Sequence, residues 1–289
     1  MISIAGAEYA LQVLPEVGGA IAALRFQGSD ILRPAPSAAD EPFETAAFPL
    51  VPFANRIARG AFRFGGTQVR LEPNAPGQAH ALHGHGWRVP WRVESAQAER
   101  LAMTFEHPAG EWPWHYVAHQ LLSLDEQGLE VALSIENRSD RPMPVGFGWH
   151  PYFLRSPGLR LRTRVEGVWL TDEQCLPRRR APAAQFGDWR RGERLPAGAG
   201  IDHCYCGWNG EARIEWPERM LCLTLTASEP LRWLHLYAPP GKRYFCVEPV
   251  SHMPDAVNRA EPAAVTGHRT LAPGARLAAA VRLRAAPLP

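Results

Sequence analysis

At 289 residues the chain is long enough to bury a sizeable core, as one large all-β domain or two small ones. Its 28 prolines and 25 glycines favour frequent turns over long helices, and a formal net charge of +2 offers no basic stripe for nucleic acid or a membrane surface. No apolar run approaches the roughly 20 residues that span a bilayer. The first 24 residues hold Glu8 and Glu16 but no basic residue, so no secretory signal is expected. Cys175, Cys204, Cys206, Cys222 and Cys246 are odd in number and form no CxxC pair, which argues against a disulfide framework and makes a reducing cytoplasm the expected setting.

Along the chain the dominant signal is period-two alternation, the mark of half-buried strands. Strands are predicted over 9–14, 20–26, 67–71, 100–105 and 117–124. The next is the clearest: Leu129, Val131, Leu133 and Ile135 alternate with Glu130, Ala132, Ser134 and Glu136, and Asp125-Glu126-Gln127-Gly128 joins it to its predecessor as an antiparallel hairpin. Residues 171–200 interrupt the pattern with Pro177, Arg178-Arg179-Arg180, Pro182, Gly187, Gly192 and Pro196, and read as a long surface connection. Strands resume at 221–226, 231–237, 244–247 and 277–284 with the same character on both sides of that stretch. No amphipathic helix of twelve residues and no fixed-period repeat intervenes. The pattern predicts an all-β, antiparallel β-sandwich spanning 1–289 as a single domain.

Five segments concentrate polar groups among glycines and aromatics: Asn55-Arg56-Ile57, Leu82-His83-Gly84-His85-Gly86-Trp87, Trp149-His150-Pro151-Tyr152-Phe153, Ile201-Asp202-His203 and Val247-Glu248-Pro249. Each has an ordinary reading when taken alone. Arg56 suits a structural ion pair, His150 a satisfied core histidine, Asp202 a turn or cap, and Glu248 a solvated strand end. His83 and His85, two apart, would share one face of a strand, a geometry that serves a metal or a sugar hydroxyl. His80 is the only nearby third ligand and no Cys or carboxylate completes a zinc spacing, so no metal is expected. Trp87 and Trp149 fit a sugar-stacking face and core packing equally well.

In their collinear order these segments resemble the aldose 1-epimerase (galactose mutarotase) family. The resemblance runs from about Gly18-Gly19 to Asn258; its most specific part is Glu248-Pro249 followed by Pro254-Asp255-Ala256 and Asn258, supported by Leu82-His83-Gly84 and His150-x-Tyr152-Phe153. It implies a large antiparallel β-sandwich, with Glu248 as catalytic base and His150 as general acid. Arg56 and His83 would hold the sugar's hydroxyls and ring oxygen, Asp202 would bind a hydroxyl, and Asn55 would share the Arg56 motif. Opening a cyclic hemiacetal removes a proton from the anomeric hydroxyl and gives one to the ring oxygen, so a base and an acid suffice and no cofactor is expected. On this reading Glu248 rests ionised and His150 is readily protonated. The expected partner is a small sugar, with the chain a monomer or homodimer.

Departures from the family pattern mark a divergent branch. His85 stands where a second glycine is usual and would bring bulk near the site, and Trp149 and Leu154-Arg155 replace asparagine-containing positions. A hexose-6-phosphate epimerase of the same fold is the enzymatic rival, for which Arg178, Arg179, Arg180, Arg190 and Arg191 would supply phosphate-binding cations. A non-catalytic sugar-binding or sensor module is the rival of another class.

Overall fold

A computed structural model describes residues 1–196 and 200–288. Two large antiparallel sheets dominate it. The eleven-stranded sheet runs Ile2–Gly6, Tyr9–Leu14, Ala20–Phe26, Ala47–Leu50, Gly148–Leu154, Tyr244–Val250, Trp233–Ala238, Ile201–Cys206, Gly167–Thr171 and Pro177–Pro182, with Ser29–Asp30 added beside Ala20–Phe26. The nine-stranded sheet runs Arg92–Ala96, Arg100–His107, Tyr116–Asp125, Gly128–Asn137, Arg276–Pro287, Leu221–Ala227, Glu211–Trp216, Arg160–Thr163 and Glu193–Arg194. The expected all-β sandwich is what the chain forms. Among the described residues the sole α-helix is the single turn Ala263–Thr266.

Side-chain alternation assigns the two faces. Leu129, Val131 and Ile135 from the smaller sheet join Leu11, Val13, Leu234, Leu236, Phe245 and Val247 from the larger in one buried cluster. The opposite face of the larger sheet carries a second, smaller cluster of Phe48, Leu50, Tyr152, Cys204, Trp233, Cys246 and Val250. The central strands of that sheet are therefore covered on both sides, and Gly148–Leu154 is buried at every position but its last. This explains why the sequence pattern misses that strand and Ala47–Leu50: double burial erases alternation, and Pro151 and Pro49 read as breakers. Tyr244–Val250 likewise continues past Glu248, which lies inside the strand and not at its solvated end.

The stretch 171–200 also differs from expectation. Residues Pro177–Pro182 pair with Gly167–Thr171 as the last strand of the larger sheet, and Trp189 enters the main core at 2% exposure. Residues 197–199 of that stretch lie outside the described residues.

Two loops lie over the second face. Arg56–Ile57 pairs with Ala81–Leu82. Asn74 clamps the turn that follows, its amide donating to the carbonyls of Leu82 and Gly84 at 2.7 and 3.0 Å while its oxygen accepts from the Leu82 N–H at 2.8 Å. Gly84 adopts φ +72°, and a Cβ there would lie 2.1 Å from the carbonyl oxygen of Val51. Gly84→Ala is accordingly expected to cost more than about 1 kcal/mol, through both left-handed strain and backbone overlap. Urea denaturation checks this, and an unchanged midpoint would show that the turn yields freely.

Candidate active site

Four adjacent strands each bring an imidazole or a carboxylate to the second face of the larger sheet. The register Gly148↔Val250 and Tyr152↔Cys246 sets His150 level with Glu248, and Glu248 pairs directly with His235. Asp202 lies one strand further, diagonal to His235 because its own cross-strand partner is Tyr237. The result is an alternating row of imidazole, carboxylate, imidazole and carboxylate across the floor of a cavity of about 290 Å³. Asn55, Arg56, Gln78 and His83 reach in from the loops, and Phe43, Tyr152, Tyr237 and Tyr244 supply aromatic wall. All six residues singled out by the motifs thus meet in one pocket.

His150 Nε2 faces Glu248 Oε1 at 3.4 Å, and both side chains are nearly inaccessible, at 7% and 2% exposure. The His150 ring is sandwiched between Phe48 and Tyr152, each stacked at 4.7 Å. Neither His150 Nδ1 nor Glu248 Oε2 has a protein hydrogen-bond partner, an uncommon state for buried polar atoms and one found where ligands are handled.

Burial raises the Glu248 carboxyl to about 7, against the opposing charges of His235 and Arg56. Burial, with the facing His235 second, lowers His150 to about 3. At rest the pair therefore keeps its proton on Glu248 below neutral pH and leaves His150 neutral, where the sequence reading expects Glu248 ionised and His150 readily protonated.

His83 is fixed from behind. Its Nδ1 accepts the Asn55 N–H at 3.0 Å while its own N–H donates to the Asn55 carbonyl at 2.8 Å, and both residues sit at φ +59°. Burial and the neighbouring His150 hold its pKa well below the ordinary value, so the ring is neutral with its proton on Nε2. That tautomer presents a donor at a set position.

Arg56 spreads over three acceptors: Asp202 Oδ2 at 3.3 Å, Asn55 Oδ1 at 3.2 Å and Gln78 Oε1 at 3.4 Å. Its loop is held by the segment that made the sequence motif most specific. The Asp255 N–H donates to the Arg56 carbonyl at 2.7 Å, its carboxylate accepts the Ala58 N–H at 2.9 Å, and Asn258 Nδ2 steadies that carboxylate at 2.7 Å.

Two expectations fail here. His83 and His85 do not share a strand face: the turn at Gly84 sends His85 away to stack on His107 at 4.4 Å, where burial lowers it to about 4. It neither joins a metal site with His83 nor crowds the pocket, and His80 is occupied in accepting the Arg59 N–H at 3.0 Å. Trp87 and Trp149 are core residues, at 0% and 1% exposure, and neither lines the cavity. His150, Cys246 and Glu248 do offer three donor atoms within 4.8 Å of one another. Burial holds the Cys246 thiol well above its usual pKa, and of the three only His150 and Glu248 line the cavity.

The sequence reading missed His235, Gln78, Tyr237 and Tyr244. The first had a signal: a lone polar residue in an apolar strand, at the same parity as Trp233 and Tyr237, belongs on the face that those aromatics mark.

A family model for aldose 1-epimerases matches residues 1–284. The uncharacterized Escherichia coli K12 protein YphB is 34% identical over 232 residues, covering 75% of this chain and 77% of that one. A crystal structure of a candidate aldose 1-epimerase from the same bacterium superposes with a TM-score of 0.91 at 32% identity, covering 99% of this chain and 98% of that one. A galactose mutarotase-like protein of Clostridium acetobutylicum shares the fold at 20% identity and a TM-score of 0.88, over 99% and 94% of the two chains. With the model spanning nearly its whole length and these relatives beside it, the chain belongs to the aldose 1-epimerase family.

Proposed function

We propose that the protein interconverts the α and β anomers of a free, unphosphorylated aldose by acid–base ring opening and reclosure. The observation that carries this is the Glu248–His150 pair, two proton-transfer groups 3.4 Å apart on the floor of a polar pocket. The anomeric hydroxyl and the ring oxygen share one carbon, so two groups this close can serve both. Glu248 takes the anomeric proton and His150 gives one to the ring oxygen; the C1–ring oxygen bond breaks and the open aldehyde forms. After rotation about C1–C2, the former ring hydroxyl attacks the other face of the carbonyl. Its proton returns to His150 and that of Glu248 passes to the new anomeric oxygen, leaving both groups as they began.

One proton held across the pair is what this cycle requires: none leaves no donor, and two leave no acceptor. In the resting pocket that proton sits on Glu248. Sugar hydroxyls that hydrogen-bond the carboxylate favour its charged form and shift the proton to His150. The Nε2–H of His83 and the guanidinium of Arg56 then stabilise negative charge as it develops on the ring oxygen. The cavity lies at the lower end of the range for small-molecule clefts, about 300–1,000 Å³, which suits one sugar ring.

A sugar phosphate fits less well. Among the described residues Arg56 is the only arginine lining the cavity, it is already engaged, and two carboxylates share the space with it. Of the arginines named for that role, Arg178, Arg180 and Arg190 pair with Asp172, Glu166 and Asp188 outside the cavity.

Polarimetry of freshly dissolved α-D-galactose and α-D-glucose is expected to show faster mutarotation with the protein, falling about 10²-fold or more in Glu248→Gln and in His150→Ala. Equal turnover by Glu248→Gln would leave a sugar-binding module as the better reading.

The pH profile follows from the shared proton. With Glu248 losing it at about 7, kcat/KM is expected to be level in mildly acidic buffer and to fall about tenfold per unit well above that pH. A profile that rises through 7 would contradict the one-proton requirement.

Stability should run opposite to activity in one variant. Folded Glu248 is raised to about 7 from its ordinary 4.5, so the folded state binds the extra proton between those values and stability is lost as pH rises through them. Glu248→Gln removes that loss. It is expected to melt higher than the parent at pH 8, by no more than about 3 kcal/mol in stability, and to match it at pH 4.5; thermal melts at both pH values test this.

A further inference from the structure

Asp202 and His235 form a second carboxylate–imidazole pair beside the first, with His235 Nε2 donating to Asp202 Oδ1 at 2.7 Å. The contact is far shorter than the 3.4 Å between His150 and Glu248, and a carboxylate can only accept, so Nε2 carries a proton. The other Asp202 oxygen is held by Arg56 at 3.3 Å, which fixes the carboxylate's orientation. His235 is buried, with 3% of its side chain exposed. It stands one strand from Glu248 and two strands from His150, so a charge on it acts more strongly on the carboxylate than on the second imidazole.

We propose that His235, held as an imidazolium by Asp202, polarises the catalytic pair: its charge draws Glu248 toward the carboxylate form and loosens that group's hold on the shared proton more than it weakens His150's. His235 is a positioning residue in this scheme, acting through Glu248 and not on the sugar. The inference rests on the anomer-interconverting reading for its purpose but not for its electrostatics.

The groups facing His235 divide in sign. Asp202 and Glu248 favour its charged form, and Arg56, from the overlying loop, opposes it. His83 and His150 face it with lowered affinity for protons and add no competing charge near neutral pH. His203, on the strand of Asp202, is likewise lowered. The Asn55 amide nitrogen is 3.4 Å from both ring nitrogens and brings no net charge, and the Cys204 thiol, directly across the strand pair from His235, is held well above its usual pKa by burial. The balance leaves His235 raised above the ordinary histidine value, burial being outweighed by the Asp202 hydrogen bond and the two carboxylate charges.

The test follows ionisation directly, by NMR of protein labelled at glutamate side-chain carboxyls and histidine rings. His235→Gln keeps the size and a donor toward Asp202 but removes the charge. Asp202→Asn leaves the imidazole and removes its anchor, and so serves if the first variant folds poorly. The Glu248 carboxyl, assigned by its absence in Glu248→Gln, is expected to titrate about one unit or more higher in either variant than in the parent. The descending limb of kcat/KM should move up with it, and kcat should fall about tenfold while KM changes less. His235 should titrate above 6.5 in the parent and at or below it in Asp202→Asn. An unmoved Glu248 titration, or a parent His235 titrating at or below 6.5, overturns the inference whatever the activity. A Glu248 titration that moves in a protein without mutarotase activity upholds the polarisation and removes only the proposed reaction.

Discussion

A carboxyl group with 1% of its surface exposed, set in the middle of a sheet, is the constraint to which the rest of the site answers. Water would solvate Glu248 well; the pocket replaces water with an imidazole on either side, a guanidinium above and aromatic rings around. Desolvation lifts the carboxyl's proton affinity and lowers that of the equally buried His150, and so decides where the pair's one proton rests. A solvated glutamate in the same place would be a strong enough acid to stay ionised, and a poor acceptor for a sugar hydroxyl's proton.

The fold supplies that environment through covering on both faces. A sheet with one face toward water would leave this row of side chains wet. Here the loops bearing Asn55, Arg56 and His83 roof the second face, while the main core supports the first. The two sources of site residues differ in how they are held. Strand residues are fixed by register, at spacings of about 3.4 Å along and 4.8 Å across the sheet. Loop residues need clamps, and Asn74, Asp255 and Asn258 provide them without touching the cavity. The motif at 254–258 is therefore part of the scaffold for Arg56 and not a set of substrate contacts.

Much of this was legible in the sequence. Half-buried strands such as Gly128–Asn137 declare themselves because one face meets the core and the other does not. Motif order singled out Glu248, His150, Arg56, His83, Asp202 and Asn55, which are scattered over almost 200 positions yet meet in one pocket. Part of what stayed hidden has one cause: burial on both faces. It removed the periodicity of Gly148–Leu154 and placed His235 in a run that looked like ordinary core. The sense of the His83–His85 spacing was lost for a different reason, since two residues mark one face only where the backbone is extended, and His83 and Gly84 both adopt positive φ. The protonation order of Glu248 and His150 lay beyond any motif, because it depends on how deeply each is buried and on a neighbour, His235, that the motifs do not contain.

The arginine run 178–180, which invites a phosphate-binding reading, occupies the outermost strand of the larger sheet, exposed at all three positions and bracketed by Pro177 and Pro182. An outermost strand carries unpaired backbone groups that can template the addition of another chain. Three successive bulky arginines, two of them ion-paired with Asp172 and Glu166, stand in the way of a second copy presenting the same strand, and two prolines remove amide donors at its ends. The run thus bears on how these molecules coexist at high concentration: it shields one of the two outer strands of the sheet that carries the pocket's charged row.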